Sequence, residues 1–448
     1  MNKKNCHYSC TLNEVCHEIT VGFVGSMTQE YISEGIPLLR SLNIKPYKLD
    51  LTNIKYISKE FHQKIRKSAL KKGDVVVVRT GQPGTSCVIP DEFDGLNCSD
   101  LVVARPNPEK IDSYYLAFYL NSMAKQYIGN QLVGAIQQHF NIRSAKEMII
   151  HLPSLNEQLK ISKVLNDLNT KIEVNNKINA ELEAMAKLIY DYWFVQFDFP
   201  FDFAQGKPDP KGKPYKSSGG KMVYNKELRR EIPEGWENGV LSDIADITMG
   251  QSPSGSSYNE EGEGTVFYQG STDFGSRFPT VRKYTTEPSR MAEENDILLS
   301  VRAPVGTLNQ AMESCCIGRG LAALREKEGS ISFLWSQMEY FKQIFERRNA
   351  SGTTFGSITK DDLFNLKLCI PKKEVLEEFK KIVDPFHDKI VVNSKQNQKL
   401  SGLRDWLLPM LMNGQVTVAN EELGITNAEL GNDLGMIAEE TQEYKYTK

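Results

Sequence analysis

Between residues 161 and 193 the apolar side chains recur in alternating steps of four and three: Ile161, Leu165, Leu168, Ile172, then Asn175 and Asn179, then Leu182, Ala186, Ile189 and Trp193. That spacing predicts a helix with a coiled-coil seam interrupted by two asparagines. A second seam follows with a shift of 218 residues: Phe379, Val383, Phe386, Ile390, Asn393, Asn397, Leu400, Arg404, Leu407 and Leu411. The asparagines recur in register, so the chain reads as an internal duplication. A seam asparagine is costly unless it meets a polar group, and it therefore selects register and orientation. Antiparallel pairing sets Asn175 opposite Asn397, Asn179 opposite Asn393, Trp193 against Phe379 and Ala186 against Phe386. It leaves Leu168 against Arg404 as one poor pair. Separate packing of each helix on its own domain is the alternative, and it leaves the matched asparagines unexplained.

The stretches preceding the two helices repeat as well. Residues 73–79, with four consecutive valines, read as a buried strand running into a loop at 80–85, and residues 295–307 repeat them with Asp74 on Asp296, Gly84 on Gly306 and Thr85 on Thr307. An aromatic helix at 112–127 is matched at 332–347, a polar loop at 134–140 by one at 351–358, and a last strand at 148–153 by one at 366–371. The first long helix is predicted from about Ser154 to about Tyr192. Residues 193–201 after it are too aromatic for free chain, whereas 205–221 collect Gly, Pro, Ser and Lys, the composition of an extended linker. The second helix, from about Glu374, contains Pro385, and an interior proline costs about 3 kcal/mol. The pattern therefore predicts a restart with Asp384 as N-cap and Pro385 in the first turn, and a stop at Gly414. Together these readings predict an α+β chain: two pseudo-symmetric mixed α/β domains joined by two long antiparallel coiled-coil helices, a dumbbell with a pseudo-two-fold axis through the asparagines. The predicted divisions are 1–153, 154–230, 231–371, 372–416 and an acidic, mobile tail at 417–448.

With 448 residues, 40% hydrophobic and 25% charged, the chain has the balance of an ordinary soluble protein with two or three cores. No apolar run approaches the roughly 18 residues of a membrane span, and no apolar signal core follows the first residues, so the expected place is the cytoplasm. Eight cysteines, two of them adjacent, do not form a disulfide framework. Cys6, His7, Cys10, Cys16 and His17 cluster, but their spacing matches no common zinc knuckle, and no metal site is expected. A net charge of −3 argues against indiscriminate nucleic-acid binding while leaving room for a local basic groove.

Motifs for catalysis are missing. The sequence holds no Gly-x4-Gly-Lys-Ser/Thr loop, no His-Glu-x-x-His helix and no Gly-x-Ser-x-Gly elbow. Asn107-Pro108-Glu109 begins like the motif of amino-methyltransferases and then departs from it. A two-fold scaffold with paired sites suits a DNA duplex, whose half-sites on one face lie about one turn, roughly 34 Å, apart. The duplicated loops differ in sequence, so two such sites would read different bases. A coiled-coil scaffold whose end domains bind peptides is the alternative reading.

The 232–236 Ile-Pro-Glu-Gly-Trp segment, the aromatic run from Trp193, the Gly-Lys-Pro-Tyr-Lys-Ser-Ser-Gly-Gly run at 212–220, the duplicated strand and Gly-Thr loop, and residues 407–416 together resemble the specificity subunit of type I restriction-modification systems. The likeness covers about residues 12 to 416; Pro385, Arg404 in the seam and the acidic tail depart from it. The resemblance implies a non-catalytic DNA-reading subunit with two target recognition domains, whose helices bind two methyltransferase subunits and on whose core restriction subunits dock. It implies no cofactor in this chain, with S-adenosylmethionine, ATP and Mg on the partners. Candidate readers are polar side chains of the duplicated loops: Arg40, Arg79, Gln82, Gln137, Gln138 and His139 in the first domain, and Gln269, Arg302, Thr353 and Thr354 in the second. Arginine can take guanine bidentately and glutamine adenine. For each of them a phosphate contact or a structural bond is the commoner role. Lys64, Arg66, Lys67, Lys71 and Lys72 read as phosphate contacts or as a solvated face.

Overall fold

The computed structural model describes residues 8–122, 140–327, 331–350 and 357–418, residues 344–350 as backbone only. The chain packs as two compact units, one of residues 1–173 with 397–448 and one of residues 174–396.

The first unit runs, in chain order, β1 (Tyr8–Thr11), β2 (Cys16–Val21), β3 (Ile36–Leu39), α1 (Lys59–Lys64), β4 (Val75–Val78), β5 (Ser86–Val88), β6 (Asn97–Cys98), β7 (Leu101–Pro106), α2 (Ser113–Ser122) and β8 (Ile149–Leu152), and then enters α3 (Leu155–Tyr190). Its central sheet has the order β2-β7-β4-β5, all antiparallel. The valine run is explained by period-two alternation between two cores, because successive side chains of a strand point to opposite faces. Val75 and Val77 pack with Tyr115, Leu116 and Phe118 of α2. Val76 and Val78 pack with Leu39, Cys87 and Cys98 on the other side. β1 and β8 pair separately, so the last strand before the helix is tied to the first strand of the chain.

The second unit repeats this plan with β9 (Glu237–Val240), β10 (Ala245–Met249), β11 (Thr265–Tyr268), β12 (Ile297–Ser300), β13 (Leu308–Gln310), β14 (Cys315–Ile317), β15 (Leu321–Glu326), α4 (Ile331–Ala350), β16 (Lys367–Ile370) and α5 (Lys373–Met412). The sheet order β10-β15-β12-β13 and the pair β9-β16 correspond strand for strand to the first unit. In both units a short parallel pairing, β3 with β6 and β11 with β14, lies beside the sheet. The alternation recurs too: Ile297 and Leu299 face one core, and Leu298 the other.

Both predicted helices form, and within each unit their facing halves pack together. In the first unit Ile161 and Leu165 share a core with Leu408, Leu411 and Met412. Arg404, the poor seam residue, is accommodated there: its Nη1 donates to Asn169 Oδ1 at 3.0 Å, and its guanidinium lies 5.0 Å from the centre of the Tyr47 ring. In the second unit Trp193 meets Phe379 edge-on at 5.8 Å, and Ala186, Ile189, Val383 and Phe386 join the same cluster. Asn393 Nδ2 donates to Asn179 Oδ1 at 2.9 Å, which is the expected polar layer, and Asn179 Nδ2 donates to Ser394 Oγ at 3.2 Å. Buried Asn175 donates to Gln396 Oε1 at 2.8 Å. Asn397, its expected partner, belongs to the other unit.

Two expectations are corrected. α5 is helical from Lys373 to Met412 with no restart at Pro385. Pro385 and Lys381, whose carbonyl loses its bond, are both exposed, so water can take the orphaned oxygen, while Val383, His387 and Ile390 anchor the opposite face. The stop is as predicted: Gly414 has φ 74°, and the amides of Gln415 and Val416 return to the Met410 carbonyl. Residues 205–221 are not an extended linker. Lys207–Pro208 and Lys213–Pro214 flank Pro200–Asp202 in a three-stranded sheet, and Tyr215 stacks on Phe199 at 4.7 Å beneath Trp236. Composition suggests open chain here because glycines and prolines make the turns, while the aromatic side chains supply the core. The acidic tail from 419 onward lies outside the described residues.

Candidate nucleic-acid interface

Each unit builds one polar edge on a partly shared set of backbone connections. In the first, Leu39 ends β3 and its carbonyl accepts the Ser99 amide, so Arg40 emerges beside the Ser99-Asp100 link between β6 and β7. Val78 pairs with Leu101, which places Arg79 at the same link. In the second unit the amide of Gly318 returns to the Tyr268 carbonyl, that of Gly320 to Gln269, and that of Val301 to Gly320. Gln269, Arg302 and the Gly318-Arg319-Gly320 link are thereby gathered at the matching edge. Glycine is required where the chains cross here. A Cβ on Gly250 would stand 2.2 Å from the Gly318 oxygen, and a Cβ on Gly22, its counterpart, 2.7 Å from Cys98 Sγ.

The candidate readers fall into distinct environments. Arg40 is half-buried, donates through Nη2 to the Asn53 carbonyl at 2.8 Å and lies over Tyr31. Arg79 is held by Asp100 at 2.6 Å. Both side chains are engaged within their own domain. Gln82, Gln269 and Arg302 are exposed and make no side-chain hydrogen bond among the described residues, which leaves their polar ends available to a ligand. Gln137, Gln138, His139, Thr353 and Thr354 lie outside the described residues. Phe140 and Ile358, described residues that follow them in the chain, meet the same edges: the Phe140 amide donates to the Arg79 carbonyl, and that of Ile358 to Val301.

Two features escape the sequence reading. Arg319 is exposed at the tip of the Gly318–Gly320 link, and its amide approaches Ser252 Oγ at 3.3 Å. The flanking glycines are the available signal. Arg277 is 1% exposed, its guanidinium 3.5 Å from the centre of the Trp335 ring, donating from Nε to Gln310 Oε1 and from Nη2 to His387 Nδ1, both at 2.8 Å. Burial first and this guanidinium second push the His387 imidazole down to about 3, so it stays neutral with its proton on Nε2. Arg277 therefore pins the 275–278 loop to α4 and α5 and is not free to read bases.

Among the described residues no group of three or more His, Cys, Asp or Glu side chains could hold a metal ion; Cys6 and His7 lie outside them. Burial pushes the Cys16 thiol up to about 12, as expected of a packing residue. No described helix is long and apolar enough to cross a membrane.

The type I restriction modification DNA specificity domain matches the chain twice, over residues 30–184 and 233–401. The MjaX type I restriction enzyme specificity subunit of Methanocaldococcus jannaschii is 31% identical over 91% of this chain and 93% of its own length. The HindI specificity subunit of Haemophilus influenzae is 23% identical over 84% and 92%. The crystal structure of a type I restriction-modification S subunit from M. genitalium is similar with a TM-score of 0.56 at 16% identity, over 92% of this chain and 97% of that one, a likeness that speaks for the fold alone. Two copies of the domain and a full-length relative above 30% identity establish that the chain belongs to the specificity subunits of type I restriction-modification systems, which are non-catalytic and recognise DNA.

Proposed function

We propose that the chain reads a bipartite duplex target, one half with each repeat, on behalf of a complex whose other subunits methylate and cut. The observation that carries this reading is the repeated edge: matching backbone bonds, Ser99 to Leu39 and Gly22 to Leu101 in one unit, Gly318 to Tyr268 and Gly250 to Leu321 in the other, frame exposed Gln82 in the first and Gln269, Arg302 and Arg319 in the second. A common frame with different exposed side chains suits two different half-sites, because base identity is read by side chains in the major groove while the frame sets position. In this reading residues 1–153 and 231–371 are the two target recognition domains, 154–230 and 372–416 the helical spacers, and 417–448 an appendage. The asparagine layer of Asn175, Asn179, Asn393 and Asn397 fixes the register of the spacers.

The helices are also the proposed seat of two methyltransferase subunits, with restriction subunits docking on that core. Support comes from α3, where Val174, Ile178, Met185 and Leu188 are exposed at 43%, 36%, 48% and 69%. Their steps of four, seven and three place them on one helix face away from the seam, a second apolar stripe of the kind that receives a partner helix. S-adenosylmethionine, ATP and Mg then belong to the partners, and the whole acts in the cytoplasm. The test is sequencing of adenine methylation in cells with and without this chain. A split motif methylated only when the chain is present supports the reading; methylation unchanged by its removal overturns it.

A further inference from the structure

The two recognition units are built alike but charged differently at one matched segment. Asp74 and Asp296 close the same turn before β4 and β12. Asp74 Oδ2 accepts the Lys71 amide at 2.9 Å, and Asp296 Oδ2 accepts the Glu293 amide at 2.8 Å. Each aspartate is buried and faces an arginine of the neighbouring strand, Arg105 at 3.6 Å and Arg325 at 2.7 Å. On this shared frame the next two positions are reversed in sign: Lys71-Lys72 in the first unit, Glu293-Glu294 in the second, all four exposed.

The reversal extends through the segment. Counting side chains ahead of the aspartate, residues 59–73 hold six bases (Lys59, Lys64, Arg66, Lys67, Lys71 and Lys72) and one acid, Glu60; residues 281–295 hold three of each. In the first unit Lys72 reaches Asp91 at 3.4 Å, whereas Lys59, Lys64, Arg66, Lys67 and Lys71 make no ion pair among the described residues. In the second unit half of the six charges are paired internally, and among the described residues only two bases, Lys283 and Arg290, make no ion pair, against five in the first. Glu293 pairs with Arg325 at 2.7 Å, Glu294 with Lys395 at 3.5 Å, and Arg282 with Asp273. An exposed basic strip whose charges lack counter-ions is what a polyphosphate backbone replaces its own cations with.

We propose that residues 59–72 of the first unit form the chain's principal seat for duplex DNA phosphates, and that the matched segment of the second unit contributes almost none. The two halves of the target are then held by different means: the first half by sequence-independent charge as well as by base contacts, the second by base contacts with little charge. This rests on the DNA-reading assignment above. It adds an asymmetry that the duplication alone does not contain.

The experiment titrates the full chain against a labelled mixed-sequence duplex over a series of NaCl concentrations. It compares wild type with a first-unit variant, Lys64→Gln, Arg66→Gln, Lys67→Gln and Lys71→Gln, and with a second-unit variant, Lys283→Gln and Arg290→Gln. All are surface positions, and melting temperature checks that each variant folds. Because each phosphate contact contributes about 0.9 to the slope of log K against log salt, the first-unit variant is expected to lower that slope by roughly 2 to 4. The second-unit variant should leave it within about 0.5 of wild type. A first-unit variant that keeps the wild-type slope, or a second-unit variant that loses as much, overturns the asymmetry while leaving the DNA reading intact. Wild-type chain that binds no duplex at any salt overturns the DNA reading itself, and this inference with it.

Discussion

Arg277 and His387 form a buried pair in which burial first and the neighbouring guanidinium second keep the imidazole neutral, and the second unit becomes sensitive to acid as a result. His387 is depressed to about 3 in the folded protein and ordinary, near 6.5, when unfolded, so its contribution to stability is complete above about pH 6.5 and is lost as the pH falls toward 3. Between about pH 7 and about pH 5 the second unit should lose about 2 kcal/mol through this group. Urea midpoints for wild type and His387→Gln at the two pH values check it, and the variant should show the shallower acid limb. The pair lies 110 positions apart in the chain and has no pattern of its own, so only the packed structure reveals it. At the domain edge, Gly250→Ala should cost about 1–3 kcal/mol, because its new methyl meets a backbone oxygen that cannot turn aside. Chemical denaturation measures that cost, and an unchanged midpoint would show that the crossing yields.

At the scale of elements the sequence is far more legible. The seams, the paired buried strands and the Gly414 stop follow from periodicity and left-handed turn chemistry, and all three are present. Pro385 misleads because the local rule, that an interior proline breaks a helix, loses to the apolar contacts on the helix's other face. Pro385→Ala should therefore raise thermal stability, by up to about 3 kcal/mol if the recovered amide bond is fully formed. A lower melting temperature would mean that α5 depends on the proline. The asparagine layer yields a different expectation. Replacing Asn179 and Asn393 together by leucine removes both members of the polar pair and takes from Ser394 Oγ only the 3.2 Å bond from Asn179, so stability should hold or rise. What should change is fidelity of register, read as relaxed spacing between the halves of the methylated motif. Marked destabilisation with unchanged spacing would contradict the role given to the layer. Residues 205–221 are illegible for the opposite reason, since the stacking partners Phe199 and Tyr215 are separated by turns that composition reads as linker.

For the whole molecule, duplication makes the plan readable from the sequence, but the charge difference between 59–72 and its counterpart emerges only once the two aspartate turns are laid on each other. Exchanging residues 1–153 for the corresponding stretch of a related subunit should alter one half of the methylated motif and leave the other, and methylome sequencing of the hybrid decides the matter. Change in both halves would count against two independent readers. The first unit is also discontinuous, made of residues 1–173 and 397–448, whereas the second is a single run from 174 to 396. Synthesis proceeds from the N-terminus, so the later unit has its whole sequence outside the ribosome while the earlier one still lacks Leu408, Leu411 and Met412 against Ile161 and Leu165. Order of emergence and order of completion are thus inverted. Ribosome-stalled chains just long enough for Gln396 to clear the exit tunnel while Leu408 is still inside it should protect 174–396 from protease while the N-terminal unit is still cut, and protection of both would show that the last helical turns are dispensable for closing the first core.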